Sequence, residues 1–438
     1  MGIKELETIP KCGCACGNPH VADIDKILCG AGVLGELPAI LAQYGAKKPY
    51  ILCDRNTYAA AGERVCAILD GAGIPYSIYT YKDERPAPNE HNVGLAIMFL
   101  PADCDIVIGV GSGVINDIGK IVSNVSKKPY VIVGTASSMD GYASASSSMT
   151  REGLKISLAS RAPDVIIGDT DILCKAPLKM MKSGLGDMLA KYVSICEWRI
   201  AHLVTGEYYC EEIAALVRGA LGRCVELSGK LLERDPDAVA AVFEGLVITG
   251  VAMTYAGVSR PASGIEHYLS HVWDMRALEF GTPEDLHGIQ CAVGTLICTK
   301  IYEKLKKIAP NREKALAYVQ KFDFPAWAEQ LKAFLGKSAD AMIALEQKEK
   351  KYDKAAHAAR LEVILSNWDA ILRIMDEELP RAEALSALLT AIDAPQTMAD
   401  IGLDEKTLPM TFFAAKDIRD KYVLPRLAWD LGVIEELV

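Results

Sequence analysis

The chain has few histidines, and it lacks long apolar runs and clusters of basic residues. Only seven of its 438 residues are histidine, and the net charge is −10. The first ten residues, MGIKELETIP, lack the apolar core of a signal peptide. No run of about twenty apolar residues predicts a membrane span. The acidic balance and the lack of a basic patch argue against a nucleic-acid partner. We therefore expect a soluble globular protein of two or three domains.

Cysteine is plentiful, but its distribution is that of a core residue. Most of the thirteen cysteines lie in apolar segments, Cys53, Cys196 and Cys291 among them. Such cysteines usually behave as small buried hydrophobic residues in a reducing compartment, so we predict a cytoplasmic protein. The exception is Cys12-Gly13-Cys14-Ala15-Cys16, followed by His20. Because the usual two-residue spacer between metal thiolates is missing, a thiol-rich strand or loop is favoured over a metal or cluster site.

Residues 1–176 alternate short apolar runs with helical patterns, which predicts an α/β domain. Runs rich in Val and Ile, separated by helices, indicate a parallel sheet covered on both faces, with ligands beyond the carboxyl ends of its strands. The predicted strands are Pro49–Cys53, Pro75–Tyr79, Asp105–Val110, Tyr130–Val133 and Val165–Ile167.

Residues 177–438 are predicted to form a second, all-helical domain. Strand-like runs become scarce there, and long amphipathic segments are separated by turn signals. The predicted helical segments are 208–232, 236–257, 262–279, 287–307, 312–335, 338–376, 380–391 and 411–435. The fold class is therefore a Rossmann-like parallel-sheet domain followed by an all-α domain.

A glycine-rich turn, Gly109–Gly113, joins the third predicted strand to a helix. Glycines allow close backbone approach to a pyrophosphate, and the helix start offers free N–H groups and the positive end of its dipole. The residues predicted to contact a nucleotide cofactor here are Gly109, Gly111, Ser112, Gly113 and Asp117. Because single residues separate the glycines, this is not the usual dinucleotide fingerprint, and an ordinary tight turn is the alternative.

Polar residues follow two other predicted strands. Asp54 could accept hydrogen bonds from a ribose, although a turn or helix-start role explains it equally well. Arg55 beside it could tolerate a 2′-phosphate, so NAD and NADP are not separated. Thr135 and Ser138 could bond a cofactor, and Asp140 could face a hydroxylated substrate. Self-capping of a Ser/Asp-rich loop is the alternative for these three residues.

One carboxylate and three histidines form a candidate site for a divalent metal. Asp187 ends the glycine-containing stretch Gly184–Asp187, near the predicted beginning of a helix, where capping is the structural alternative. His267 and His271 are four residues apart, hence on one helix face, and His287 follows. Either His267 and His271 both bind the ion, or one of them binds it with His287. One Asp and two His leave positions open for a substrate oxygen.

As an ordered set, these motifs resemble the metal-dependent polyol dehydrogenase and dehydroquinate synthase superfamily. Within it they resemble the bacterial sn-glycerol-1-phosphate dehydrogenases over roughly residues 12–300. One departure is Val110, where many superfamily members have glycine. The segments that carry the resemblance are Cys14–His20, Asp54–Tyr58, Gly109–Gly113, Asn116–Asp117, Thr135–Tyr142, Gly184–Asp187, Ser259–His267 and His287–Gly288.

The resemblance implies roles for single residues. Asp187, His267 and His287 would hold zinc or nickel, which leaves His271 as a neighbour of the ion or substrate. With NAD or NADP as the cofactor, its reduced form would transfer a hydride to dihydroxyacetone phosphate, giving sn-glycerol 1-phosphate and NAD+ or NADP+, with a water on the ion or His271 supplying the proton. Lys155, Arg260 and His271 are candidates to bind the phosphate of this small substrate, and each could equally be a surface or helix-end charge. A homodimer is the predicted assembly, on the general tendency of helical domains to dimerise.

Three other functions compete with this one. A glycerol dehydrogenase or another metal-dependent alcohol dehydrogenase would need no phosphate pocket. A lyase similar to dehydroquinate synthase would recycle its NAD. A nucleotide-binding sensor with a decayed metal site would not be an enzyme, but the intact set of one acid and two histidines argues against it.

Overall fold

The computed structural model describes residues 3, 6, 13–83, 85–152 and 154–438 of the chain. These residues divide into two compact units. The first contains the described residues up to Met188 together with Ala215–Val258, and the second contains Leu189–Ala214 and Ser259–Val438. The predicted domain boundary after residue 176 stays a prediction, and the first unit includes helices on both sides of it.

A six-stranded parallel sheet lies at the centre of the first unit, in the order β1-β8-β5-β4-β2-β3. Every residue of β2, β4, β5 and β8 is buried, as expected for runs of Val and Ile covered on both faces. The strands are β1 Lys26–Gly30, β2 Pro49–Asp54, β3 Ser77–Tyr81, β4 Ile106–Gly111, β5 Tyr130–Gly134, β6 Ser146–Arg151, β7 Leu154–Ala159 and β8 Val165–Asp169.

The strand order reverses direction beside β2. β3 lies outside β2 on one side, while β4 and β5 continue on the other side. In parallel sheets, ligands bind beyond the carboxyl ends of strands at such a reversal. Asp54 ends β2, the glycine turn includes the last residues of β4, and the polar loop 134–141 continues from the end of β5, so all three lie at the carboxyl ends of the strands.

All five predicted strands are confirmed, with their ends shifted by one or two residues. Three strands are missing from the prediction. β1 is a short strand that is only half-buried, and β6 and β7 form a separate antiparallel pair. β6 begins in the serine-dense stretch 144–148, where hydroxyl side chains replace the apolar runs that mark a buried strand. The predicted fold class is confirmed.

The α-helices of the described residues lie on both sides of β8 in the chain, and they dominate after it. They begin and end as follows: α1 Leu37–Gln43, α2 Arg55–Thr57, α3 Glu63–Gly71, α4 Glu90–Met98, α5 Gly113–Ser126, α6 Thr170–Leu173, α7 Leu178–Leu189, α8 Lys191–Thr205, α9 Glu211–Leu227, α10 Pro236–Ala256, α11 Ile265–Phe280, α12 His287–Leu305, α13 Arg312–Gln320, α14 Phe324–Leu335, α15 Ser338–Glu349, α16 Lys354–Ser366, α17 Trp368–Glu378, α18 Ala382–Ala391, α19 Leu408–Ala415, α20 Leu424–Asp430 and α21 Ile434–Leu437.

Several predicted helical segments are divided in the structure. The segment 312–335 contains α13 and α14, because Asp323 caps a new helix through the backbone N–H of Ala326 and Pro325 lies in its first turn. The segment 338–376 contains α15, α16 and α17. Asp353 caps α16 in the same way, and Lys350 leaves α15 with a positive φ of 50°.

One helix in the described part of the chain, α10, is long and apolar enough to cross a membrane by length and composition alone. The sequence analysis did not single it out, because Asp237 and Glu244 interrupt its apolar residues. Of its most apolar stretch, 72% is buried within the protein, as in the core helix of a folded domain.

Loop 134–141 packs backbone-to-backbone against α7, and Gly184 permits this contact. A Cβ at position 184 would lie 2.0 Å from the carbonyl oxygen of Ser137. One residue earlier, the hydroxyl of Ser183 donates to the carbonyl oxygen of Ser138 over 2.9 Å. At the next turn of the helix, Asp187 accepts a hydrogen bond from the backbone N–H of Asp140, 2.9 Å away. The glycine in Gly184–Asp187 is therefore required by packing.

Replacing Gly184 by alanine tests this contact. We expect G184A to lower the unfolding free energy by about 1–3 kcal/mol, because the methyl group overlaps a backbone atom that cannot move alone. This loss exceeds the roughly 1 kcal/mol that alanine gains over glycine inside a helix. The measurement is unfolding in urea. The matched control is Gly222→Ala on α9, where a Cβ would meet nothing within 4 Å. Equal stability of the two variants would contradict the packing argument.

Candidate metal centre and nucleotide turn

Two helices of the second unit bring together two imidazoles and a thiol. α11 carries His267, α12 begins at His287, and Cys291 lies one turn further along α12. The ring centroids of His267 and His287 are 4.9 Å apart, and the Cys291 Sγ is 3.6 Å from Nε2 of His287. One donor atom from each residue lies within 4.8 Å of the others. We call His267, His287 and Cys291 the imidazole–thiol cluster.

Hydrogen bonds orient both rings of the cluster. Nδ1 of His267 is 2.8 Å from Oε1 of Glu266, and Nδ1 of His287 is 3.2 Å from the hydroxyl of Ser270. The side chain of Gln290 in turn donates to Ser270 over 3.2 Å. Because each Nδ1 has a partner, Nε2 is the nitrogen that each ring presents to an ion.

Glu266 is a site residue that the sequence analysis missed. Its side chain is fully buried, and its Oε1 also accepts the backbone N–H of Gly264 over 2.7 Å. A Cβ at position 264 would lie 2.7 Å from Oε2 of Glu266 and 2.6 Å from Oε2 of Glu197. Burial, followed by the charge of Glu266, raises the pKa of Glu197 to about 8. The stretch Ser263–His267 therefore needs glycine because two carboxyl groups cover it.

Cys291 was interpreted from sequence as a buried hydrophobic residue, and its surroundings are different. Burial raises the pKa of its thiol, but His267 and His287 act in the opposite direction and the net pKa is lowered. The available signal was its position four residues after His287, which places both on one face of α12.

His271 lies one turn beyond His267 on α11 and is half-buried. Its ring stacks on that of His287 with centroids 6.0 Å apart and an angle of 20° between the planes. The structure thus brings all three predicted histidines together, with His271 outside the imidazole–thiol cluster.

Asp187 belongs to the first unit and is fully buried. The prediction that it lies near the beginning of a helix is wrong, because α7 runs from Leu178 to Leu189 and Asp187 is close to its end. Capping of a helix start therefore does not explain this carboxylate. Its hydrogen bond from the Asp140 backbone ties it to loop 134–141, where the predicted substrate residue Asp140 is half-buried.

The glycines of the nucleotide turn have two different roles. A Cβ at Gly109 would lie 2.3 Å from the hydroxyl of Tyr130, and one at Gly111 would lie 2.6 Å from the side chain of Ile115. Packing within the first unit therefore accounts for these two glycines. Gly113 is the first residue of α5, where a phosphate would approach the helix.

The start of α5 is not capped by its own N-cap side chain. Ser112 occupies the N-cap position but makes no capping bond from its side chain, and its hydroxyl instead pairs with that of Ser138. Thr135, at the end of the neighbouring strand, donates its backbone N–H to the carbonyl oxygen of Gly111 over 3.1 Å. The first N–H groups of α5 thus have no side-chain acceptor at the N-cap, as a phosphate-binding helix start requires.

The two acidic residues predicted near the cofactor have structural partners. Asp54 caps α2 by accepting the backbone N–H of Thr57 over 2.8 Å, while the Thr57 hydroxyl accepts from the backbone of Asp54. Asp117 forms an ion pair of 2.9 Å with the buried Lys120. Burial raises the pKa of Asp117, against the charges of Lys120 and Lys155. These contacts explain both acids without a nucleotide, and their cofactor roles stay predictions.

Two of the predicted phosphate contacts differ in their surroundings. Arg260 is fully buried, with Nε 2.6 Å from Glu207 and a second nitrogen 3.0 Å from the carbonyl oxygen of Tyr422. Its remaining terminal nitrogen contacts the other carboxylate oxygen of Glu207, so the ion pair is bidentate. These contacts favour a structural role for Arg260, which is neither a surface charge nor a helix-end charge. Lys155 lies on β7 in the first unit, half-buried and close enough to act on Asp117.

Lys421 is a cation near the cluster that the sequence analysis did not consider. Its Nζ donates to the carbonyl oxygen of Ser263 over 2.8 Å and lies 5.8 Å from the ring of Tyr268 on α11. Removal from water, followed by the positive charges of Arg260 and Arg419, lowers the pKa of Lys421 to about 7, and the charges of Glu266 and Glu207 act in the opposite direction. An anion bound beside this lysine would stabilise its charged form and raise its pKa.

Known proteins share this architecture. Residues 28–177 match the model of the iron-containing alcohol dehydrogenase family. Among solved structures, the glycerol dehydrogenase of Schizosaccharomyces pombe superposes with a TM-score of 0.62 over 94% of this chain and 89% of that chain. Its sequence identity of 14% means that this likeness concerns the fold alone.

The sequence relatives are more specific. The glycerol-1-phosphate dehydrogenase [NAD(P)+] of Halalkalibacterium halodurans is 33% identical over 301 residues, which are 67% of this chain and 75% of that protein. The protein of the same name from Methanothrix thermoacetophila is 33% identical over 273 residues, 62% of this chain and 75% of that protein. Because the chain is 33% identical to these two proteins over three quarters of their length, it belongs to the glycerol-1-phosphate dehydrogenase family.

Proposed function

We propose that this chain catalyses the reversible reduction of dihydroxyacetone phosphate by NADH or NADPH to sn-glycerol 1-phosphate. The observation that carries the proposal is its 33% identity to a glycerol-1-phosphate dehydrogenase [NAD(P)+] over 75% of that protein. The imidazole–thiol cluster and the open start of α5 supply donors for the metal and the nucleotide that this chemistry uses. The cytoplasmic location and the homodimer stay predictions.

Asp187, His267 and His287 are the residues proposed to hold one divalent ion, zinc or nickel, with the Cys291 thiol as a further donor beside the two imidazoles. Nitrogen, sulfur and carboxylate oxygen are donors that suit either metal, and the buried carboxylate of Asp187 would balance its charge. An ion held there would supply Lewis-acid polarisation of the C2 carbonyl of the ketone. Glu266 and Ser270 keep the two rings oriented for it.

The start of α5 is the proposed site of the cofactor pyrophosphate. The N–H groups from Gly113 onward and the helix dipole favour an anion there, and the hydroxyls of Ser112 and Ser138 lie beside them. NADH or NADPH held there would supply the hydride for C2 of the ketone. His271, half-buried against His287, is the proposed proton donor to the C2 oxygen.

Lys421 is the proposed phosphate contact in the second unit, in place of Arg260. The guanidinium of Arg260 is already shared between Glu207 and the Tyr422 carbonyl, whereas Lys421 is partly exposed and anchored by one carbonyl oxygen. An ammonium group with three donors can keep that bond and still reach a phosphate oxygen.

Removing one proposed ligand tests the metal centre. Asp187→Ala and His267→Ala should each release the ion and lower kcat/KM for dihydroxyacetone phosphate by about a thousandfold or more, since Lewis-acid polarisation is worth several kcal/mol. Metal content per chain and oxidation of NADH and NADPH are the measurements. His91→Ala, exposed on α4, is the control. If either ligand variant kept its metal and its rate, the assignment would be wrong.

Glu266→Gln tests whether the carboxylate positions His267. The amide keeps the size of the side chain but loses the charge-assisted bond to Nδ1, so metal affinity should fall by about 10–100-fold. Affinity is measured by competition with a chelator, and circular dichroism reports folding. Glu279→Gln, at the exposed end of the same helix, should leave the affinity unchanged. An unchanged affinity in Glu266→Gln would show that Glu266 has no positioning role.

Lys421→Met tests the phosphate contact. Loss of a charge-assisted hydrogen bond, worth about 1.5–3 kcal/mol, should raise KM for dihydroxyacetone phosphate by about 10–100-fold and leave KM for dihydroxyacetone unchanged. Because the lysine is cationic only below its pKa of about 7, KM of the unaltered enzyme should rise as pH increases through that value.

Two outcomes of that experiment separate the possibilities. Lys406→Met, an exposed lysine, is the control and should change neither constant. Equal effects of Lys421→Met on both substrates would contradict the phosphate contact. Reduction of dihydroxyacetone in preference to its phosphate would instead favour a glycerol dehydrogenase.

A further inference from the structure

A second cluster of metal donors lies in the first unit, before β1. Cys14, Cys16 and His20 each offer one donor atom, and these atoms lie within 4.8 Å of one another. The Sγ of Cys16 is 3.5 Å from Nε2 of His20. The proposed function uses none of these three residues. Cys12, the first cysteine of the motif, lies outside the described residues.

We propose that Cys14, Cys16 and His20 form a structural zinc site, separate from the catalytic metal. Two thiolates and an imidazole are the soft and borderline donors that zinc binds tetrahedrally. Because thiols form only weak hydrogen bonds, two thiols beside an imidazole would add little stability without an ion. These three residues would supply three of the four donors of a tetrahedral zinc ion.

The backbone explains how a one-residue spacer is compatible with such a site. The N–H of Gly17 donates to the carbonyl oxygen of Cys14 over 3.0 Å, which closes a tight turn. Gly13 and Gly17 flank the two cysteines with positive φ angles of 83° and 81°, a conformation that favours glycine. The turn folds the chain back so that both thiols face His20. The one-residue spacing in the sequence does not reveal this turn. For that reason the spacing favoured a loop over a metal site in the sequence analysis.

Packing fixes the imidazole independently of any ion. His20 is 1% exposed, and its ring lies 5.7 Å from that of Tyr255 near the end of α10. Cys14 and Cys16 are only half-buried, so an ion could reach them from solvent. The proposed site therefore fastens the segment before β1 to a core helix of the same unit. Its expected role is stability, because binding to the folded form alone favours that form.

Metal analysis of the full-length protein tests the site without relying on activity. The unaltered chain should contain about one zinc ion more per chain than the Cys14→Ser/Cys16→Ser variant, and the variant should keep its catalytic metal and kcat. Cys174→Ser, which changes a half-buried cysteine of the same unit outside the cluster, should keep both ions. Equal zinc in all three proteins would overturn the proposal, and so would iron with acid-labile sulfide in place of zinc.

Alkylation of the unaltered protein provides a second test that does not depend on the folding of a variant. Cysteine-containing peptides are quantified by mass spectrometry with and without a chelator. We expect the chelator to raise the labelling of Cys14 and Cys16 at least severalfold and to leave Cys174 unchanged. The metal content of the same samples reports the catalytic ion separately, so failure of one site is distinguishable from failure of the other. Labelling of Cys14 and Cys16 that does not respond to the chelator would contradict a bound ion.

Discussion

The bond between the Glu266 carboxylate and Nδ1 of His267 is the interaction on which the candidate metal centre depends. It fixes the rotation of the imidazole and directs Nε2 towards His287 and Cys291. The carboxylate is itself held by the backbone of Gly264, whose missing side chain leaves room for it. One glycine thus determines the position of a buried acid, and the acid determines the orientation of the His267 imidazole.

Close backbone packing plays the corresponding role in the first unit. Gly184 lets α7 lie directly on the loop after β5, and the same contact places Asp187 against the backbone of Asp140. Gly109 and Gly111 similarly make room for Tyr130 and Ile115. Glycines that suggest a ligand-binding loop in a sequence can therefore be required by the fold, and only Gly113 lies where α5 begins.

How much the sequence predicts follows from how local each signal is. Apolar runs marked the four fully buried strands and the partly exposed β3, whereas the half-buried β1 and the serine-rich β6 gave no such signal. The histidines marked the cluster, because three of the seven in the chain lie within a short stretch, and such a concentration of a rare residue is typical of a metal site. Lys421 went unnoticed because its partner Ser263 lies 158 residues earlier, and no periodicity reports a contact of that range. Glu266 was missed because neighbouring residues on a helix normally point in different directions.

Cysteine shows most clearly why residue type alone does not decide a role. Cys291 and Cys298 lie two turns apart on α12, and both are fully buried. Burial and then the charges of Glu266 and Glu197 raise the pKa of Cys298 well above its usual value, which keeps it a neutral core residue. Burial also raises the pKa of Cys291, but the imidazoles of His267 and His287 outweigh this effect and lower the pKa below its usual value. Both thiols are buried as expected, but only at Cys291 do the neighbouring side chains stabilise the thiolate, which is why Cys291 and not Cys298 is the proposed metal donor.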